Sequence, residues 1–288
     1  VRCERKRLFL ICSAFAQLVA EEEQFRTGFE IHDEEVAARV HGEVAFRLEE
    51  AEGNSLNEAL SKLARPFDLS KPPLMRAALY EEGSRQYLLL DVHHIISDGI
   101  SSVLTMRRLD AYYRGSKPAL PEFTYKDYAW ACRNDAEAVK EQSSFWEELL
   151  KEGMPELKLP LDRVRPSAFD GRGSRLYFQI TPEQGDMLET FAQDNKLTVF
   201  TVLFSAFAVL LSGLAGQERF AVGSPLAGRR HSVLQDMIGV FVNTLPILVN
   251  LQREESTLAF MGRMQEQITA VIDHQAVPFE EIVKRSEE

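Results

Sequence analysis

The sequence predicts an α/β fold built in two parts. Segments with strand-like and helix-like apolar spacing alternate along the chain. A proline-, glycine- and arginine-rich stretch, KLPLDRVRPSAFDGRGS at 158–174, separates two such series and reads as a crossover. The 288 residues, 45% of them apolar, are enough for one large domain or two packed subdomains.

The first series opens with an amphipathic segment around Phe15–Phe25, in which Glu21–Glu23 read as a solvated face. The basic and then apolar start, VRCERKRLFLICSAFA, superficially resembles an export signal but runs directly into that helix and reads as part of the fold. A strand is expected at Val44–Leu48, then a helix opened by Ser55 and Glu58 at capping-box spacing and closed by Pro66. PLMRAALY and RQYLLLDV read as adjacent strands joined by a turn at Glu82–Ser84. The unbroken apolar run Tyr87–Leu90 predicts a central strand buried on both faces. Asp98 and Gly99 turn the chain into a helix closing at Gly115, and Tyr125–Leu150 is one further helical region. After the crossover come a strand at Arg175–Ile180, helices at Pro182–Asn195 and Val199–Leu211, strands at Arg219–Gly223 and Val240–Val249, and a helix at Thr257–Ile272.

Composition narrows the function classes. With 33 Lys plus Arg against 44 Asp plus Glu, the formal net charge of -11 disfavours a nucleic-acid partner. Cys3, Cys12 and Cys132 lack metal-site spacing and leave one thiol over from any pairing, which suits a reducing cytoplasm. The apolar run Val199–Ala215 is short for a spanning helix and reads as a buried one, with no membrane role. No glycine-rich phosphate loop points to a nucleotide.

The chemistry concentrates in LLLDVHHIISDGIS at 88–101. Adjacent residues at a strand end diverge, so one of His93 and His94 faces a reacting group while the other packs. An imidazole accepts a proton near neutral pH, as an amine or hydroxyl requires when it attacks a carbonyl. Asp98 supplies a charged hydrogen bond to hold the loop, and Gly99 supplies a tight turn with close substrate approach. Packing and metal binding are the competing uses of a histidine pair. For a metal the third ligand is missing, because His231 and His274 are remote in sequence.

His93-His94-Ile95-Ile96-Ser97-Asp98-Gly99 resembles the third core motif, HHxxxDG, of nonribosomal peptide synthetase condensation domains, which is shared with chloramphenicol acetyltransferase-like acyltransferases. Other segments resemble that family's motifs in order: FRTGF at 25–29, YKDYAWA at 125–131, VGSPLAGR at 222–229, IGVFVNTLP at 238–246 and HQAVPFEEIV at 274–283. The second motif departs from the usual RHExLRT, reading EEEQFRT at 21–27, and the first and seventh motifs are not found.

The resemblance implies a two-lobed chloramphenicol acetyltransferase-like pseudodimer with both termini incomplete, split at 1–165 and 166–288, with substrates reaching His94 by a tunnel between lobes. It implies His94 as base or substrate-positioning residue and His93 as the more structural of the pair. Asp98 would be architectural and bridged to Arg229. Asn243 would lie near the tunnel or serve only to turn its strand, and Arg26 would be structural or substrate-positioning. The reaction implied is condensation of a carrier-bound donor acyl or peptidyl thioester with a carrier-bound aminoacyl acceptor. The alternatives are epimerisation of a carrier-bound aminoacyl group, ester formation, and noncatalytic docking of carriers. Donor and acceptor peptidyl carrier proteins would be the partners, an adenylation domain a neighbour, and phosphopantetheine a group of the carriers, with no cofactor bound by the domain itself.

Overall fold

The computed structural model describes residues 2–33, 35–164, 166 and 173–286. It is a mixed α/β structure that falls into two compact units. The first comprises residues 1–135 and 227–242, the second residues 136–226 and 243–288. This division differs from a split at 165: residues 136–164 pack with the second unit, and 227–242 return to the first. Part of the expected crossover, 165 and 167–172, lies outside the described residues.

In the first unit, α1 (Arg2–Glu21) takes in the export-like start and ends four residues short of the expected Phe25, giving way to a 3-10 turn at Glu23–Arg26. A hairpin of β1 (Thr27–His32) and β2 (Glu35–Val40) follows, which the sequence pattern did not suggest. The expected strand at 44–48 is displaced to β3 (Leu48–Glu50), and Phe46, outside the ladder, stacks on Phe15 with ring centroids 4.5 Å apart. Helix α2 (Leu56–Leu63) starts where expected. Ser55 accepts the Glu58 amide, but the Glu58 carboxylate bonds the amide of Asn54 in place of that of Ser55, so the box is shifted by one residue.

Strands β4 (Met75–Glu82) and β5 (Arg85–Val92) form the expected antiparallel pair, and β3 runs parallel to β4. The sheet order β3-β4-β5 corrects one expectation: among the described residues β5 is an edge strand, and Leu88 is 36% exposed. An apolar run therefore marked a strand here without marking its place in the sheet. Helix α3 (Gly99–Tyr113) packs its Leu104, Leu109 and Tyr112 into a core with Phe15, Leu18, Phe25, Leu74, Ile96 and Ile238. Gly115 just beyond it has φ +76, the left-handed conformation that glycine adopts without steric cost. The helical region expected at 125–150 is two helices, α4 (Tyr125–Asn134) and α5 (Ala136–Leu149), broken at Asp135.

The second unit holds α5, then α6 (Pro182–Asp194), α7 (Val199–Ala215), β6 (Arg219–Leu226), β7 (Asn243–Asn250), α8 (Thr257–Asp273) and α9 (Phe279–Ser286). Strands β6 and β7 pair antiparallel, and Trp146, Phe220, Leu245, Met264 and Ile282 fill the core against them. Two expectations fail here. Residues 175–180 are in no strand, and Leu176, Tyr177 and Phe178 are exposed. Helix α7 is buried on one face only, through Val202, Phe204, Ala208 and Leu211, while Phe207 and Leu210 face outward. Among the described residues no single helix is long and apolar enough to cross a membrane.

Candidate active site

The site is built on the turn between β5 and α3. The His93 amide donates to the Leu74 carbonyl at 3.0 Å, which ties the start of the turn to the sheet. His93 then caps the 3-10 turn His94–Ile96: its Nδ1 accepts the Ile95 amide at 3.1 Å, and its ring meets Phe67 edge-on at 5.7 Å. That acceptor role places the proton of neutral His93 on Nε2. Ile96 and Ser97 are buried, whereas His94 is exposed. The two histidines thus differ, the His93 ring capping the turn and packing on Phe67 while His94 is exposed.

At the far end of the turn Asp98 is the N-cap of α3, with Oδ1 accepting the Ser101 amide at 2.7 Å. Residues 227–242 close over it. Arg229 Nη2 lies 3.2 Å and 3.3 Å from the two Asp98 oxygens, and the Phe241 amide donates to Oδ2 at 3.2 Å. Both side chains of this ion pair are 1% exposed. Arg229 also donates to the carbonyls of Leu234 and Met237 and lies over the Phe241 ring at 4.0 Å. A close approach dictates the glycine that precedes it: Gly228 has φ +67, and an added Cβ would fall 1.8 Å from the Phe241 carbonyl oxygen.

Two buried ion pairs in this unit show why the Asp98 setting is favourable. Burial pushes the Asp98 carboxyl up, but hydrogen bonds from Ser101 and the Phe241 amide, together with the Arg229 charge, outweigh it and hold the group below the usual carboxylate range. Glu22 is buried against Arg108, which also donates to the Asp236 carbonyl. There burial dominates and Glu22 stays above its ordinary value despite the guanidinium. Glu22 thus corrects the expectation that the 21–23 run is a solvated face.

The remaining sequence candidates separate. Gly99 is exposed, its φ lies outside the left-handed region, and an added Cβ would meet open space, so the turn itself does not require glycine. Arg26 donates to the carbonyls of His41 and Gly42 beyond the β1–β2 hairpin, and none of these bonds reaches residues 93–101. Asn243 belongs to the second unit. Its Nδ2 donates to the carbonyls of Gln275 and Val277 at 3.1 Å and 2.9 Å, and its Oδ1 accepts the Phe279 amide at 3.2 Å. It clamps the HQAVPF loop to the start of β7. Among the described residues no group of three or more His, Cys, Asp or Glu is placed to hold a metal ion.

The condensation domain family model matches residues 8–288. The chain belongs to the condensation domain family. Its relatives include gramicidin S synthase 2 of Aneurinibacillus migulanus, 36% identical over 295 aligned residues covering 99% of this chain and 6% of that protein. Surfactin synthase subunit 1 of Bacillus subtilis is 34% identical over 275 residues, 94% of this chain and 8% of that one. The chain thus spans less than a tenth of the length of these synthetases.

Solved structures share the fold. The X-domain from teicoplanin biosynthesis aligns with TM-score 0.88 at 22% identity, over 97% of this chain and 66% of that one. A four-domain nonribosomal peptide synthetase bound to AMP and glycine aligns with TM-score 0.85 at 24% identity, over 96% and 22%. The epimerization domain from the third module of tyrocidine synthetase B aligns at 0.80 with 20% identity, over 96% and 66%. Because an epimerization domain shares it, this fold alone does not separate condensation from epimerisation.

Proposed function

We propose that this condensation domain joins two carrier-bound thioesters. The amine of an acceptor aminoacyl thioester attacks the carbonyl of a donor acyl or peptidyl thioester. A C–N bond forms, the C–S bond breaks, and the amine proton ends on the released thiol of the donor carrier. The observation that carries this reading is the exposed His94 ring, on a turn tied at one end to the sheet and at the other to a buried ion pair.

In this reading His94 is the catalytic residue, taking up the amine proton or orienting the amine for attack. A thioester is already activated, so orientation contributes at least as much as proton transfer. His93 and the Asp98–Arg229 pair act as positioning groups, and Gly99 leaves room for a substrate beside His94. Asn243 and Arg26 hold backbone and do not touch the reactants. The partners are donor and acceptor peptidyl carrier proteins bearing phosphopantetheine arms, beside an adenylation domain in a cytoplasmic synthetase. Likeness in fold extends to both, and what favours condensation over epimerisation is the motif strings HHIISDGIS at 93–101 and IGVFVNTLP at 238–246, which resemble condensation motifs more than epimerisation ones.

The test is to mix the protein with separately loaded donor and acceptor carriers and follow the intact mass of the acceptor. A gain equal to the donor acyl group, requiring both thioesters, is expected. An acceptor of unchanged mass with inverted stereochemistry would replace this reading by epimerisation. Stable carrier binding with no product would replace it by docking.

A further inference from the structure

Ser101 is fully buried at the first turn of α3, and every hydrogen-bonding position of its hydroxyl is occupied. Oγ donates to the Gly239 carbonyl at 2.7 Å and accepts the Gly239 amide at 3.0 Å and Arg229 Nη2 at 2.8 Å. Its own amide bonds Asp98. One hydroxyl therefore links the N-terminus of α3, the guanidinium that neutralises Asp98, and both polar groups of a single residue in the returning 227–242 segment.

That residue has no freedom to move away. A Cβ at Gly239 would lie 2.0 Å from the Tyr125 ring, so the ring packs directly on the glycine backbone, and the Tyr125 hydroxyl bonds the next carbonyl, Val240, at 2.8 Å. Phe241, one residue on, supplies the amide that bonds Asp98. Ser101 thus sets the distance between the 239–241 backbone and the Asp98 carboxylate. The Asp98 carboxylate in turn fixes where the His94 turn meets α3.

We infer that Ser101 is a positioning residue for His94, acting through Asp98 and Arg229. The inference rests on the condensation reading for its kinetic arm and on geometry alone for its structural arm. Without the hydroxyl, the Gly239 amide and carbonyl lose a buried partner, and Arg229 Nη2 loses the bond that fixes it beside Asp98. The His94 turn then samples more geometries, and misplacement of a reacting group lowers turnover while leaving carrier binding intact.

The experiment compares the wild-type chain with Ser101→Ala, Asp98→Asn and the double variant, by kcat and KM in the carrier assay and by amide hydrogen exchange over residues 93–101. Ser101→Ala is expected to lower kcat on the order of tenfold, leave KM within about twofold, and speed exchange in the turn. The double variant should lose no more than Asp98→Asn alone, because both act through one pair. Should Ser101→Ala not fold, Ser101→Cys keeps a weaker and somewhat bulkier hydrogen-bonding group at the position, and an intermediate kcat is expected. Unchanged kcat in folded protein, losses that multiply in the double variant, or unaltered exchange would each overturn the inference. If the wild-type chain transfers nothing, the condensation reading fails, and the exchange result still decides the role of Ser101.

Discussion

At the scale of single residues, the site depends on how completely each buried polar group is satisfied. Asp98 is the clearest case, with two backbone amides and a guanidinium around a carboxylate that water does not reach. Its folded-state value lies below that of an unfolded aspartate, so its contribution to stability is complete above about pH 3.9 and is lost as pH falls through the folded value. Asp98→Asn leaves Arg229 buried without its counter-charge and should cost about 3–5 kcal/mol at neutral pH. It should also flatten the loss of stability on acidification, measured as urea midpoints across the acid range; an unchanged slope would contradict the assignment. Gly99 offers the opposite test. Its Cβ would meet open space, so Gly99→Ala should leave the melting temperature unchanged. A fall in carrier turnover with unchanged melting would show that substrate needs the room, and full turnover would remove Gly99 from the site.

At the scale of elements, the sequence pattern was legible wherever local signals act alone. β4, β5, α2, α3 and α8 lie close to where apolar spacing and caps place them, since each carries its own start or stop residue. The β1–β2 hairpin was missed because its residues alternate weakly and β2 is exposed along nearly its whole length, which leaves no apolar face to read. β5 misled for the reverse reason, its apolar run sitting at a sheet edge. Residues 175–180 have a strand-like composition, and a ladder needs a partner that composition does not supply. Asn243 is an element-scale clamp: it satisfies three backbone groups between Gln275 and Phe279, which hold α9 against β7. Asn243→Ala should destabilise the fold by about 1–3 kcal/mol and raise hydrogen exchange at residues 275–280. A variant with wild-type stability and lost turnover would instead make Asn243 a substrate-contacting residue.

At the scale of the whole molecule, the order of motifs spoke for the family before any contact was visible, and the family match over residues 8–288 agrees. The pairing of Asp98 with Arg229, 131 positions apart, followed from that resemblance and from no local pattern. Ser101, Gly239 and the Phe241 amide lay inside or beside the quoted strings, yet their roles needed the fold, because a hydroxyl and a backbone amide carry no distinctive sequence signal. The two compact units likewise escaped a linear division, since residues 227–242 leave the second half of the chain to complete the first unit.

The central claim is that the exposed His94 ring, held by a rigid turn, drives acyl transfer to an amine. The most direct measurement is the single-turnover rate of acceptor mass gain for wild-type and His94→Ala protein, alongside the melting temperature of each. The account predicts a rate reduced on the order of 100-fold or more with melting unchanged, because His94 is exposed and its neighbours carry the packing. Wild-type transfer by a folded His94→Ala protein would contradict it.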